Sequence, residues 1–265
     1  MTICLAYVRN TVCPPELILA SDSQLNCGGG EKMFNCQKIF PLKRGDVAIG
    51  FTGETDLFFP ILQQIVNFCD EHKKNYSRST SINVLASHIL KIANSMLSHI
   101  KPGNVKGCKE PIPKTCEIFL IGWDCRASST IPLIKKYFVY SEKSEEFERK
   151  KINVYSHKGK KIAHNIYIIG DCVDDFAEEY NKEALSFCLK ENKLNEEPLK
   201  IFQKILNKNH PQLASIGGTV QAVKVYRYLR TLPYCVERQG RKYLYGRELE
   251  AWENVAMEST HIKLS

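Results

Sequence analysis

Met1-Thr2-Ile3-Cys4-Leu5-Ala6-Tyr7-Val8-Arg9 opens the chain, and Leu17-Ile18-Leu19-Ala20-Ser21-Asp22-Ser23-Gln24 follows it across Pro14-Pro15. Two short apolar runs on either side of a proline turn read as a β-hairpin, because the prolines cannot continue a central strand. A second pair of runs, residues 38–42 and 47–52, is joined through Lys43-Arg44-Gly45-Asp46. Its Arg-Gly-Asp step supplies the turn of another hairpin. The first fifty residues therefore read as four strands, with Gly28-Gly29-Gly30 as a flexible loop between the pairs.

Beyond residue 53 the hydrophobic period changes. Leu57, Phe58, Ile61, Leu62, Ile65, Val66 and Cys69 recur at three and four, which is one face of a helix. Pro60 is tolerated there if it falls in the first turn, where backbone N–H groups have no helical partner. Ser79-Thr80-Ser81 offers a cap for a second helix with the face Val84, Leu85, His88, Ile89, Ile92, Met96 and Leu97. His88 on that face reads as a hydrogen-bonded core histidine. Residues 101–114 are loop. Strand patterns return at 116–123, 133–140, 152–155 and 162–169, helical ones at 174–190 and 197–207, and a strand at 219–226. The acid-and-base run 141–151 reads as a solvated loop or helix face. Residues 234–265 read as a final hairpin or tail. The order is strands, helices, strands, helices, strands, with no linker and no repeat. A single domain over 1–265, two sheets with helices outside them, is the simplest packing.

Composition sets the outer bounds. The chain is 43% hydrophobic and 25% charged, which suits a globular protein with a core. Its apolar runs are too short to span a bilayer, so no membrane association is expected. No basic segment precedes an apolar stretch at the N-terminus, so no signal peptide is read and the expected location is the cytoplasm. The 11 cysteines contain no C-x-x-C pair, so free thiols are expected rather than a metal site. The net charge of +8 is spread out and interleaved with acids, which argues against nucleic acid as a partner.

Four segments carry a joint signal: Met1-Thr2-Ile3-Cys4, Leu19-Ala20-Ser21-Asp22-Ser23-Gln24, Gln37-Lys38-Ile39 and Ile49-Gly50-Phe51-Thr52-Gly53. Together they resemble the proteasome β-subunit family of N-terminal nucleophile hydrolases, and within it the bacterial HslV-type and Anbu-type branches. The detailed likeness covers residues 1–70, with two weaker echoes at Ile169-Gly170-Asp171 and Ser215-Ile216-Gly217-Gly218. Asp22 to Lys38 (38 − 22 = 16) and Lys38 to Gly53 (53 − 38 = 15) fit the family spacing. The resemblance implies an α+β fold, a four-layer αββα sandwich with two antiparallel sheets flanked by helices. It implies a threonine-type peptidase without cofactor or metal. It also implies self-association into a ring or helical oligomer, a peptide or protein substrate, and an ATPase unfoldase as the natural partner.

The chemistry accounts for these residue types. A threonine hydroxyl is a weak nucleophile and needs an adjacent base. Once Met1 is removed, the α-amine of Thr2 can be that base, with a reference pKa of about 7.7–8.0. Lys38 would lower the hydroxyl's pKa, Asp22 would hold Lys38 charged and oriented, and the Gly53 N–H would donate to the oxyanion. Leu25, Asn26 and Phe51 are candidate substrate contacts. Taken singly, each residue has a plainer account. Thr2 begins a strand, Asp22 is a turn residue, Lys38 is one of 37 mostly solvated Lys and Arg residues, and glycine after a strand is common. There are departures from the family pattern as well. The hairpin from Thr2 to Asp22 is long (22 − 2 = 20). Asp171 stands where the family usually has Ser. The late acid is missing, with Ser215 as the candidate replacement. Two other readings stay open: a non-catalytic ring or scaffold subunit, and a hydrolase of a small amide.

Overall fold

The computed structural model describes residues 2–27, 30–100, 116–123, 133–141, 143–150, 156–157, 160–161, 166–187, 194–208, 210–227, 230–253 and 260–264. The N-terminal part runs β1 (Ile3–Arg9), β2 (Glu16–Ser21), β3 (Leu25–Asn26), β4 (Lys32–Met33), β5 (Ile39–Pro41) and β6 (Val47–Gly53). Helices α1 (Thr55–Glu71), α2 (Lys73–Tyr76) and α3 (Ile82–Leu97) follow. Then come β7 (Cys116–Gly122), β8 (Leu133–Ser141), β9 (Glu146–Lys150), β10 (Ser156–His157), β11 (Lys160–Lys161) and β12 (Ile166–Gly170). Helices α4 (Val173–Ser186) and α5 (Glu197–Asn207) lead through a 3₁₀ turn, Pro211–Leu213, into β13 (Gln221–Tyr226) and β14 (Thr231–Arg238). The last strands are β15 (Arg241–Leu244), β16 (Arg247–Glu248) and β17 (Thr260–Lys263).

Among the described residues these form two main sheets. One has the order β12-β1-β2-β13-β14-β15-β16, with β17 running parallel to β14. The other has the order β5-β6-β7-β8-β9 and is antiparallel throughout. The period-2 alternation of a strand divides each central strand between two cores. Ile3, Leu5 and Tyr7 of β1 join α4 and α5 in one apolar cluster, while Cys4 and Ala6 join a second. That second cluster also holds Ala48 of β6 with Phe119 and Ile121 of β7, so it is shared by both sheets. Val47, Ile49 and Phe51, with Ile118 and Leu120, face α1 and α3 in a third. Strands covered on both faces read as continuous apolar runs, which is why 3–7 and 47–52 show no alternation in sequence. Each fully buried Leu, Ile or Phe is worth about 1.5–3 kcal/mol relative to exposure, so these three clusters dominate the favourable side of folding. The sheets approach closely at Gly50, where an added Cβ would meet Cys4 Sγ and Leu19 Cδ1 at 3.3 Å.

Several sequence expectations are revised. Pro60 lies past the first turn of α1 (60 − 55 = 5), so that helix forgoes one interior hydrogen bond and is held by Phe58, Ile61, Leu62 and Ile65 beneath it. Ser81 caps α3 as expected, accepting from Val84 N–H at 3.3 Å. His88 packs edge-on against Phe68 with ring centroids 5.9 Å apart, but its Nδ1 is buried and has no hydrogen-bond partner among the described residues. The charged run 141–151 contains strand β9, whose residues are exposed except Phe147, which seals the helix-side core. β3 and β4 make a ribbon where only a glycine loop was expected. The chain end adds β17 beside β14 to the expected hairpin of β14 and β15. Gly28 and Gly29, the 101–114 loop and the 152–155 strand lie outside the described residues. Among the described residues, eight cysteines are free thiols. No helix of the described residues is long and apolar enough to cross a membrane.

Candidate active site

Thr2, Asp22, Lys38, Gly53 and Asp171 come from five points of the chain, and backbone pairing sets where each falls. β1 pairs β2 so that Cys4 opposes Ser21, and it pairs β12 so that Ile3 opposes Gly170. The register places Asp22 at the end of β2 and Asp171 at the end of β12, on either side of the start of β1. Ser21 Oγ donates to Ile3 O at 2.9 Å and fixes that end of the strand pair.

The Asp22 carboxylate is completely buried and fully used. Oδ1 accepts from Ile3 N–H at 3.2 Å, and Oδ2 accepts from the backbone N–H of Gln24 at 3.1 Å and of Gly217 at 3.3 Å. Lys38 Nζ lies 3.0 Å from both carboxylate oxygens. It also donates to Gln24 O at 2.5 Å. Lys38 is 1% exposed, so it is not one of the solvated surface cations. A buried charge is tolerated only when paired and hydrogen-bonded, and this pair meets both conditions. Gln221 braces the backbone around it: its Nε2 donates to Asp22 O at 2.8 Å and Cys36 O at 2.9 Å, and its Oε1 accepts from Lys38 N–H at 3.0 Å.

On the other side, Asp171 Oδ2 accepts from Thr2 N–H at 2.8 Å, and Asp171 N–H donates to Thr2 O at 3.2 Å. With Met1 present that Thr2 nitrogen is a peptide amide; it stands for the α-amine that removal of Met1 would leave. Gly170 has φ +131°, a region that favours glycine, and a Cβ there would come within 2.0 Å of Thr2 O. Its N–H donates to Glu117 Oε2 at 2.8 Å, and the same carboxylate oxygen accepts from Thr52 Oγ1 at 3.4 Å. Glu117, on β7, thus ties the second sheet to the turn that carries Asp171.

The remaining candidates occupy several places. Gly53 ends β6 with φ +112°. Phe51 is buried under α1 and α3, and its carbonyl accepts from Cys4 Sγ at 3.6 Å. Leu25 is half-buried and paired with Met33 in the β3–β4 ribbon. Asn26 is exposed and bridges Gln24 Nε2 to Ser215 O. Ser215 Oγ lies 3.4 Å from Cys172 Sγ. Glu117, Gln24 and Gln221 were missed by sequence reasoning. The signal in one case was a lone polar residue inside an apolar run, Glu117 in 116–122, whereas Gln221 shares 219–226 with Thr219 and Lys224.

Two nearby thiols, Cys4 and Cys116, are poor nucleophiles. Burial pushes Cys4 up to about 12, helped by the Asp22 carboxylate, with Ser21 opposing. Burial, with Glu117 and Asp171, raises Cys116 well above its ordinary value. A protonated thiol is a poor nucleophile, which sets Cys4 and Cys116 aside as attacking groups.

Fold and element order place the chain among mixed α/β proteins with a proteasome-like architecture. It resembles the solved structure of Anbu (ancestral beta-subunit) from Yersinia bercovieri, with a TM-score of 0.52 and 13% identity over 87% of this chain and 86% of that one. At that identity the likeness is one of fold. No protein-family model matches the chain, and no curated protein matches it in sequence.

Proposed function

We propose that the protein is a threonine-type N-terminal nucleophile hydrolase that cleaves amide bonds with Thr2 after Met1 is removed. The observation that carries this reading is the two-sided hold on the start of β1. Asp171 accepts from the Thr2 nitrogen, and the Asp22 that pairs Lys38 accepts from the next N–H along the chain. The four-layer αββα sandwich belongs to the same proposal. It is supported by three apolar clusters in the order helices, sheet, sheet, helices.

In this mechanism Thr2 Oγ attacks the amide carbonyl carbon, and its proton passes to the neutral α-amine. Lys38 favours the developing alkoxide electrostatically, and the Gly53 N–H donates to the carbonyl oxygen as it becomes an oxyanion. The tetrahedral species collapses by breaking the C–N bond, and the ammonium returns the proton to the leaving amine. Water, deprotonated by the same amine, then hydrolyses the Thr2 ester. Asp171 would orient the amine. Leu25 and Asn26 would contact the substrate, Phe51 would stay in the core under α1 and α3, and Ser215 would stand near Asp171 in place of the missing acid. The Thr2→Ala protein is expected to keep its fold and lose turnover of a peptide amide by at least about 10³-fold. Turnover equal to wild type would sink the proposal and favour a scaffold subunit. We place the enzyme in the cytoplasm as a self-associating ring or helical stack acting on peptides or proteins, with an ATPase unfoldase as partner. Sedimentation of the wild-type protein well above its 30.3 kDa chain mass is the matching result. An active monomer would point to a small-amide substrate instead.

A further inference from the structure

A cavity of about 600 Å³ lies beside the Asp22–Lys38 pair without including the nucleophile. Gln24 and Gly217 line it, whereas Thr2, Lys38, Phe51 and Gly53 do not. Its walls come from the end of α5, the 3₁₀ turn, the Gly217-Gly218 segment and the strands β14 and β15. Lys32, His210 and Arg238 line it, and among the described residues no Asp or Glu does. A concave site with two cations, Lys32 and Arg238, and no carboxylate among the described lining residues selects for negative charge.

Hydrogen bonding sharpens the point. Arg238 Nε and His210 Nδ1 are buried and have no hydrogen-bond partner among the described residues. Leaving a buried polar atom unpaired is costly, and native proteins rarely do so without a reason. The contrast with Gln203 beneath the cavity is direct. That fully buried side chain donates to Asn207 Oδ1 and Gly218 O and accepts from Val220 N–H. Arg238 Nη1 makes one long bond, 3.5 Å, to Gly218 O, and Lys32 Nζ makes one, 3.0 Å, to Ala214 O. A guanidinium carries five donors and an ammonium three, so both keep capacity for a ligand. Phe34, 48% exposed, together with Leu213 and Tyr243, adds an apolar lining.

We infer that this cavity binds a small anionic molecule. A single carboxylate or phosphate head would meet Arg238, His210 and Lys32, and its apolar body would lie along Phe34, Leu213 and Tyr243. An oxyanion head accepts several N–H donors at once, and the planar guanidinium fork matches carboxylate and phosphate equally. The proposal is independent of amide hydrolysis, because none of these three side chains belongs to the catalytic arrangement.

Isothermal titration of the full chain with octanoate, phenyl phosphate and neutral octanamide tests it. At least one anionic probe is expected to bind while octanamide does not; which anion binds identifies the head group. Arg238→Gln and Lys32→Gln should each weaken that binding by about tenfold, the scale of one charge-assisted hydrogen bond. Lys32 is exposed, so its variant remains informative even if Arg238→Gln fails to fold. The Thr2→Ala protein should bind as wild type does. Absence of binding by both anions, equal binding of octanamide, or unchanged affinity in the folded variants would overturn the inference.

Discussion

Lys38→Ala is expected to lower turnover of a peptide amide by at least about 10³-fold, roughly 4 kcal/mol in transition-state free energy. The loss would fall on kcat, because the ammonium acts on the hydroxyl as it ionises rather than on bound substrate. The fold should survive. Without Lys38 the Asp22 carboxylate still accepts from the backbone N–H groups of Ile3, Gln24 and Gly217. Lys38→Met, which fills the same volume without charge, should be as inactive and more stable than Lys38→Ala. Wild-type kcat in either variant, measured on protein with an unchanged circular dichroism spectrum, would remove Lys38 from the mechanism.

The second large effect is on stability. Asp22→Ala is expected to cost about 3–5 kcal/mol, because it leaves a buried ammonium with only Gln24 O as acceptor and strips three backbone N–H groups of theirs. For a chain of this size that corresponds to a fall in melting temperature of roughly 10 °C or more. The two substitutions are therefore unequal although they break the same ion pair. Asp22 joins three segments of backbone, whereas Lys38 joins only two groups. Thermal melts of the two variants side by side check this, and a Lys38→Ala protein melting below Asp22→Ala would contradict the account.

How much of this was legible in the sequence follows from what each residue does. Asp22 follows the apolar strand β2 and Lys38 immediately precedes β5, so their spacing could be read directly. Thr2 was legible from its position. Glu117 and Gln221 were not, because their partners lie far along the chain: Gly170 for the first, Asp22 and Cys36 for the second. Packing of the two sheets brings Glu117 to Gly170, and the pairing of β13 with β2 brings Gln221 to Asp22; a polar residue in a strand does not say what it will meet. The strands β3, β4 and β9 escaped because they are short and largely exposed, so no hydrophobic period marks them. The burial of Lys38 was likewise invisible, since nothing in the residue itself separates it from the other 36 Lys and Arg side chains (37 − 1 = 36).

The central claim is that a free Thr2 α-amine serves as the base for its own hydroxyl, and intact-mass measurement on the purified, active protein tests it most directly. The account predicts that every species able to turn over a peptide amide has lost the mass of Met1 and nothing more. A fraction that retains Met1 and still turns over the amide at the wild-type rate would contradict it.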